Sequence, residues 1–270
     1  MDAAVGGVFA DYAYRAVTGG IGGATRVASI GYNADIDTAT VPEDVWSGSS
    51  VGTVNAIDHK LIQFPPAGGV SMEVVSNSPS DTAAGAGART VSITYLDANY
   101  VSTTVTLTLN GTTPVALGTV LRINAFTVST AGTTPRGVNI GNLSIRATGG
   151  LGATYSYMLA GIGFAQSSLF TVPAGASFDV LAALGSLHQV DTSQRAGTMS
   201  LAVQNSAGRL IKALFFGLTS NVNYVQHANG IPITTVPATF DTWLICENVS
   251  ANNTAVSGSL FGYTRTGAVN

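Results

Sequence analysis

From Gly87 to Gly111 the chain reads GARTVSITYLDANYVSTTVTLTLNG, and its apolar residues fall at alternate places. Val91, Ile93 and Tyr95 stand between Thr90, Ser92 and Thr94; beyond LDAN, Val101, Val105 and Leu107 are interleaved with Ser102, Thr104, Thr106 and Thr108. A period of two sends alternate side chains to opposite faces of an extended strand, so the stretch predicts strand, turn, strand. The alternation returns in GVSMEVVSNS, in LRINAFTVST, where Leu121, Ile123 and Ala125 oppose Arg122, Asn124 and Phe126, and in NLSIRATGG, where Leu143, Ile145 and Ala147 oppose Ser144, Arg146 and Thr148. Short strands separated by Gly, Asn and Pro turns read as a β-sandwich over residues 66–150.

A second set of alternating runs begins near residue 151: TYSYMLAGIGF, SSLFTVPAGASFDVLAAL, GTMSLAVQNSAGRLIKALFFGL and TFDTWLICENVSANNTAVSGSLFGYTRT. Pro173 and Gly175 mark a turn between two of them, and the long returns suggest a jelly-roll-like β-sandwich over 151–270. FDVLAALGSLHQV has the only hint of helix, interrupted by Gly185. Residues 1–65 lack a sustained period and carry Gly clusters, so they read as an extended N-terminal arm that would lie on a neighbour. The expected fold class is all-β: two β-sandwich or jelly-roll-like units preceded by that arm.

Composition changes the picture at the surface. Only 9% of the 270 residues are Asp, Glu, Lys or Arg, against roughly 25% in ordinary soluble domains. A surface so poor in charge presents hydroxyls and amides to water or is covered by sibling chains, and self-association is the expectation. The net charge of −3, with 11 scattered Lys and Arg, argues against nucleic acid. No uncharged apolar run approaches the roughly 20 residues of a membrane helix, so no membrane partner is expected. MDAAVGGVFADYAYRAV lacks a basic start followed by an apolar core and does not read as a signal peptide.

Reactive chemistry is sparse. Cys246, the single cysteine, lies in the alternating TWLICENV and reads as a small buried apolar residue. His59, His188 and His227 form no metal-ligand spacing. Asp35, Asp37, Glu43 and Asp44 are the densest carboxylates, but they lack the glycine and closing glutamate of a calcium loop and read as turn or cap residues. Asp179 or Asp191 with Asp241 or Glu247 would be the carboxylates of a glycosidase, if the fold brought them together. GGIGGATR and GAGART lack the strand-before, helix-after context of a phosphate loop and read as turns. Among aromatic residues, Tyr12, Tyr14, Tyr100, Tyr155, Tyr157, Tyr224, Tyr263, Trp46 and Trp243 are possible platforms for a sugar ring; Trp243 reads as core, and Trp46 as an anchor for the arm. No catalytic, metal or cofactor-binding residue is expected, and no cofactor.

DIDTATVPEDVWSG, DTAAGAGARTVSITYLDANY, LNGTTPV and LRINAFTV together resemble a group of tailed-bacteriophage virion structural proteins, over roughly residues 33–150. The resemblance implies an oligomeric β-protein of the virion without enzymatic activity, similar to head decoration, head-fibre or tail components. A capsid decoration or cement protein, a homotrimer partnered by itself and by the major capsid protein or other virion proteins, is the function it implies. The alternative is a tail, baseplate or fibre component touching a host-surface glycan, and an enzyme that degrades host polysaccharide is the third reading.

Overall fold

The computed structural model describes residues 24–48, 61–150, 153–188, 194–220, 224–227 and 232–266. In chain order the strands are β1 (Ala24–Ile36), β2 (Glu43–Asp44), β3 (Val70–Ser76), β4 (Ala88–Leu96), β5 (Ser102–Thr108), β6 (Val115–Val120), β7 (Arg122–Ala131), β8 (Leu143–Ala147) and β9 (Thr154–Met158). They continue as β10 (Phe170–Thr171), β11 (Ala176–His188), β12 (Ala196–Gln204), β13 (Leu210–Thr219), β14 (Tyr224–His227), β15 (Thr234–Val236), β16 (Asp241–Val249) and β17 (Thr254–Thr266). A single 3-10 turn at Pro135–Gly137 is the only helix among the described residues. No helix among them is long and apolar enough to cross a membrane.

The chain divides into two compact units, one running to Val45 and resuming at Ser168, the other spanning Trp46–Ser167. In the first, β1-β17-β11-β14 form one sheet with β15 beside β11, and β10-β16-β12-β13 form another with β2 beside β16. Both sheets lay apolar faces on one core: Phe178, Val180 and Leu260 from the former, Met199, Leu201 and Leu244 from the latter. Each such side chain contributes about 1.5–3 kcal/mol on burial. Gly31, Gly258 and Gly185 stand abreast across β1, β17 and β11. A Cβ on Gly258 would lie 2.6 Å from Leu244 Cδ1 and 2.9 Å from Met199 Cε, and one on Gly185 would lie 2.8 Å from Met199 Sδ. Two of these glycines therefore form the slot into which the facing sheet presses.

The second unit holds β6-β3-β8-β9 and β5-β4-β7. Met72, Val74, Leu143, Ile145 and Met158 from the one meet Val91, Ile93 and Phe126 from the other in a separate core. The hairpin read from the sequence pairs Thr90 with Thr108 through Leu96 with Ser102. Its turn is closed by Asp97, whose Oδ1 accepts from the N–H of Asn99 at 2.8 Å and of Val101 at 2.9 Å. The alternation that opens the sequence serves two ends: Val91 and Ile93 are wholly buried, while hydroxyls on the opposite face tie neighbouring strands, Thr94 to Thr104 at 2.9 Å and Thr90 to Thr130 at 2.6 Å.

Several expectations are corrected. The chain is all-β, but it is not two jelly-roll-like β-sandwiches in series behind an arm. Its described residues form four antiparallel sheets of three to five strands, each the size of a propeller blade, and the unit at 46–167 interrupts the other along the sequence. Residues 24–36 are no arm: β1 is a 13-residue strand paired with β17 along its length. Its one glycine looks like flexibility in the sequence, whereas a Cβ on Gly31 would fall 2.0 Å from the Val45 carbonyl oxygen. FDVLAALGSLH is strand β11, with Gly185 at a close approach rather than a helix break. Residues 1–23 and 49–60 of the expected arm lie outside the described residues.

Candidate functional site

The sheet β6-β3-β8-β9 buries one face and leaves the other open. Register sets the open face: Glu73 pairs with Arg146, Val75 with Ser144, Ser144 with Tyr157, and Arg146 with Thr154. Two cross-strand rows result, Val75–Ser144–Tyr157 and Glu73–Arg146–Thr154, on the side away from Val74, Ile145 and Met158. Val75, Ser144, Tyr157, Arg146 and Thr154 of these rows, with Ser76, floor a groove of about 530 Å3, rimmed by Asn77, Thr112, Asn142 and Gly150, a volume in the range of small-ligand sites.

The rim amides are oriented. Asn77 Oδ1 accepts from the Asn142 N–H at 2.8 Å, and Asn142 Oδ1 accepts from the Ala160 N–H at 2.8 Å. Each carboxamide thus spends its acceptor on backbone and keeps its Nδ2 donors for a ligand. Partial burial pushes the Tyr157 phenol above its ordinary value, so the ring keeps its proton and its donor at neutral pH. Glu73 is buried beneath Arg146 and accepts from its Nε at 2.8 Å through Oε1, and from the Gly149 N–H at 3.2 Å through Oε2.

Behind the groove, Asp81 holds the loops in place. It is wholly buried and accepts four hydrogen bonds: Ala88 N–H at 2.8 Å and Ile140 N–H at 2.9 Å on Oδ1, Ser76 O–H at 2.7 Å and Gly141 N–H at 2.8 Å on Oδ2. The glycine-rich DTAAGAGA turn wraps this carboxylate; a Cβ on Gly87 would lie 2.1 Å from Oδ1.

The sequence's other candidates do not converge. Asp179, on the outer face of β11, is held by Arg265, with Nε 2.5 Å and Nη2 3.0 Å from its oxygens. Asp241 accepts from Thr171 Oγ1 at 2.6 Å, and Glu247 pairs with Lys212 Nζ at 2.6 Å. These last two project from β16 away from core residues Leu244 and Cys246, so no glycosidase pair forms with Asp179; Asp191 lies outside the described residues. Glu43 accepts from Asn33 Nδ2 and Thr40 Oγ1, Asp44 from Trp243 Nε1 at 2.7 Å, and Asp37 from the Asn253 N–H. No group of three or more His, Cys, Asp or Glu among the described residues could hold a metal.

His188 Nε2 meets Ser257 Oγ at 3.0 Å; His59 lies outside the described residues, as do the side chains of His227 and Tyr224. Cys246 is fully buried, and burial, reinforced by the Glu43 carboxylate, pushes its thiol up to about 12. Trp46, Trp243 and Tyr263 are buried, and Tyr12 and Tyr14 lie outside the described residues. Of the proposed platforms only Tyr157 lines the groove. Asn77, Thr112, Asn142 and Arg146 escaped the sequence reading; their one signal was the Asn and Gly turns at either end of β3 and β8.

No family model matches the sequence, and no curated protein does. Among solved structures the chain is similar to the infectious bursal disease virus Gx strain at 14% identity, covering 91% of this chain and 73% of that one, with a TM-score of 0.20. It is similar to the VP2 subviral particle of the same virus at 11% identity, covering 90% and 77%, with a TM-score of 0.16. Likeness at those scores bears on neither fold nor function. No match carries the resemblance to tailed-bacteriophage virion proteins, and it is corrected. Its span of 33–150 crosses from one compact unit into the other at Val45, and its most distinctive segment is accounted for by the Asp81 cradle and the Asp97 turn. The decoration role falls with it, and residues 24–36 of the expected arm are strand β1.

Proposed function

We propose that this chain is a non-enzymatic, glycan-contacting protein of the fibre or baseplate kind, whose groove on β3, β8 and β9 grips a host-surface sugar on behalf of a viral particle. The observation that supports this most is the lining of the groove: outward amide donors, hydroxyls, a guanidinium and one protonated phenol on a rigid sheet. Sugars offer hydroxyls to such donors and a C–H face to an aromatic ring. The carboxylates near the groove are Glu73, already paired, and Asp81, wholly enclosed, which is a poor set for acid–base cleavage.

Self-association is part of the proposal. Among the described residues β13 is an edge strand that exposes Leu210, Ile211 and Phe215, at 43%, 50% and 57%, and apolar side chains so placed favour burial against a sibling chain. Several grooves on one assembly would raise avidity for a surface glycan. An array of oligosaccharides probed with the wild-type chain and with Tyr157→Ala tests the reading. Binding that Tyr157→Ala weakens about tenfold or more, as expected for a lost stacking and hydrogen-bonding contact, supports it; absence of binding across neutral and acidic sugars contradicts it.

A further inference from the structure

We infer that the groove selects an acidic sugar, a uronic or other carboxylated residue, and that Arg146 reads its carboxylate. This rests on the glycan reading of the same groove. Arg146 is the single cation in the lining, and its side chain is 28% exposed over a Glu73 that is 8% exposed. Glu73 engages Nε alone, and its second oxygen is taken by the Gly149 N–H. Nη1 and Nη2 have no hydrogen-bond partner among the described residues. The guanidinium is thereby locked in orientation with its two-nitrogen end open, the geometry that receives a planar carboxylate through two parallel hydrogen bonds.

Gly150 keeps that end clear. It sits in the left-handed region at φ +75°, and a Cβ there would lie 3.4 Å from Arg146 Nη2 and 3.6 Å from Cζ. A larger side chain would lie across the guanidinium. Glu73 sets a limit on affinity: its negative charge opposes an incoming anion, so neutral hydrogen bonds from Asn77, Asn142 and Tyr157 must carry much of the binding, and Arg146 supplies the preference between acidic and neutral sugars. A carboxylate fits the fork in a way that a point charge does not exploit, so lysine at this position retains the charge and loses the fit.

Calorimetry with matched oligosaccharides, one neutral, one with a uronic acid and one with a sulfate ester in its place, tests the inference. The wild-type chain is expected to bind the uronic form about tenfold tighter than the neutral form, the scale of one charge-assisted contact. Arg146→Gln should abolish that preference, and Arg146→Lys should reduce it. Because Arg146→Gln leaves Glu73 buried without its partner, Gly150→Asn provides a variant that spares the ion pair and blocks the guanidinium; it should lose the preference with only a small drop in melting temperature, since asparagine tolerates a left-handed backbone better than other side chains. Equal binding of neutral and uronic forms, or a preference untouched by Arg146→Lys and Gly150→Asn, overturns the inference and leaves the groove a glycan site. Tighter binding of the sulfated form overturns the assignment to a carboxylate. Failure of all three sugars to bind overturns the glycan reading itself.

Discussion

Replacing Asp81 should unfold the unit that carries the groove while sparing the other. In Asp81→Ala the N–H groups of Ala88, Ile140 and Gly141 lose their acceptor, as does the Ser76 hydroxyl. An orphaned buried donor costs roughly 1–3 kcal/mol, so three amides cost about 3–9 kcal/mol, against a total stability of about 5–15 kcal/mol for a typical domain. Asp81→Asn keeps the shape but turns an amide toward two of the four donors, and should cost about half as much. Each unit holds one buried tryptophan, Trp46 in one and Trp243 in the other. Denaturant unfolding followed by emission in a Trp243→Phe background therefore reports the groove unit. The midpoint seen by Trp46 should fall steeply in Asp81→Ala and by an intermediate amount in Asp81→Asn. An unfolding free energy within about 1 kcal/mol of the parent for both variants would refute the claim that this carboxylate organises the loops.

Other outcomes follow from the same structure. Phe215→Ser should weaken self-association by about tenfold or more in analytical ultracentrifugation, since a buried phenylalanine contributes about 1.5–3 kcal/mol; an unchanged association constant would remove β13 from the interface. Cys246 should resist thiol reagents at pH 8 in the native chain and react on denaturation. Its folded value of about 12 stands above the ordinary 9.0, so its contribution to stability holds below about pH 9 and is lost as pH rises from there toward 12, where the unfolded thiol ionises first. Gly258→Val should destabilise the first unit by at least about 1–3 kcal/mol, the cost of overpacking, because Leu244 and Met199 already fill the space; thermal melts of the variant measure it.

The strands of the groove unit were legible because their alternation is clean: Leu143 and Ile145 inward, Ser144 and Arg146 outward, and the Asp97 turn between β4 and β5. β1 was not, because Gly31 and its neighbours dilute the apolar signal at the places where backbone and side chains from elsewhere press closest. β11 was ambiguous for a related reason, since Ala182 and Ala183 suit a helix as well as a strand facing bulky partners, and Gly185 interrupts the helical pattern. The groove is assembled from positions as far apart as Val75, Arg146 and Tyr157, and only sheet register makes neighbours of them. Tyr157 stood in the sequence as one of nine tyrosines, with nothing local to single it out. Asp81 looked like one more turn aspartate, although DTAAGAGA is glycine-rich because its backbone must close on that carboxylate.

The most direct measurement is a crystal structure of the chain soaked with an acidic oligosaccharide at a concentration that saturates binding in solution. The account predicts sugar density along β3, β8 and β9, with a ring against Tyr157 and a carboxylate at the Nη atoms of Arg146. Sugar bound on any other surface, with this groove left to solvent, would contradict it.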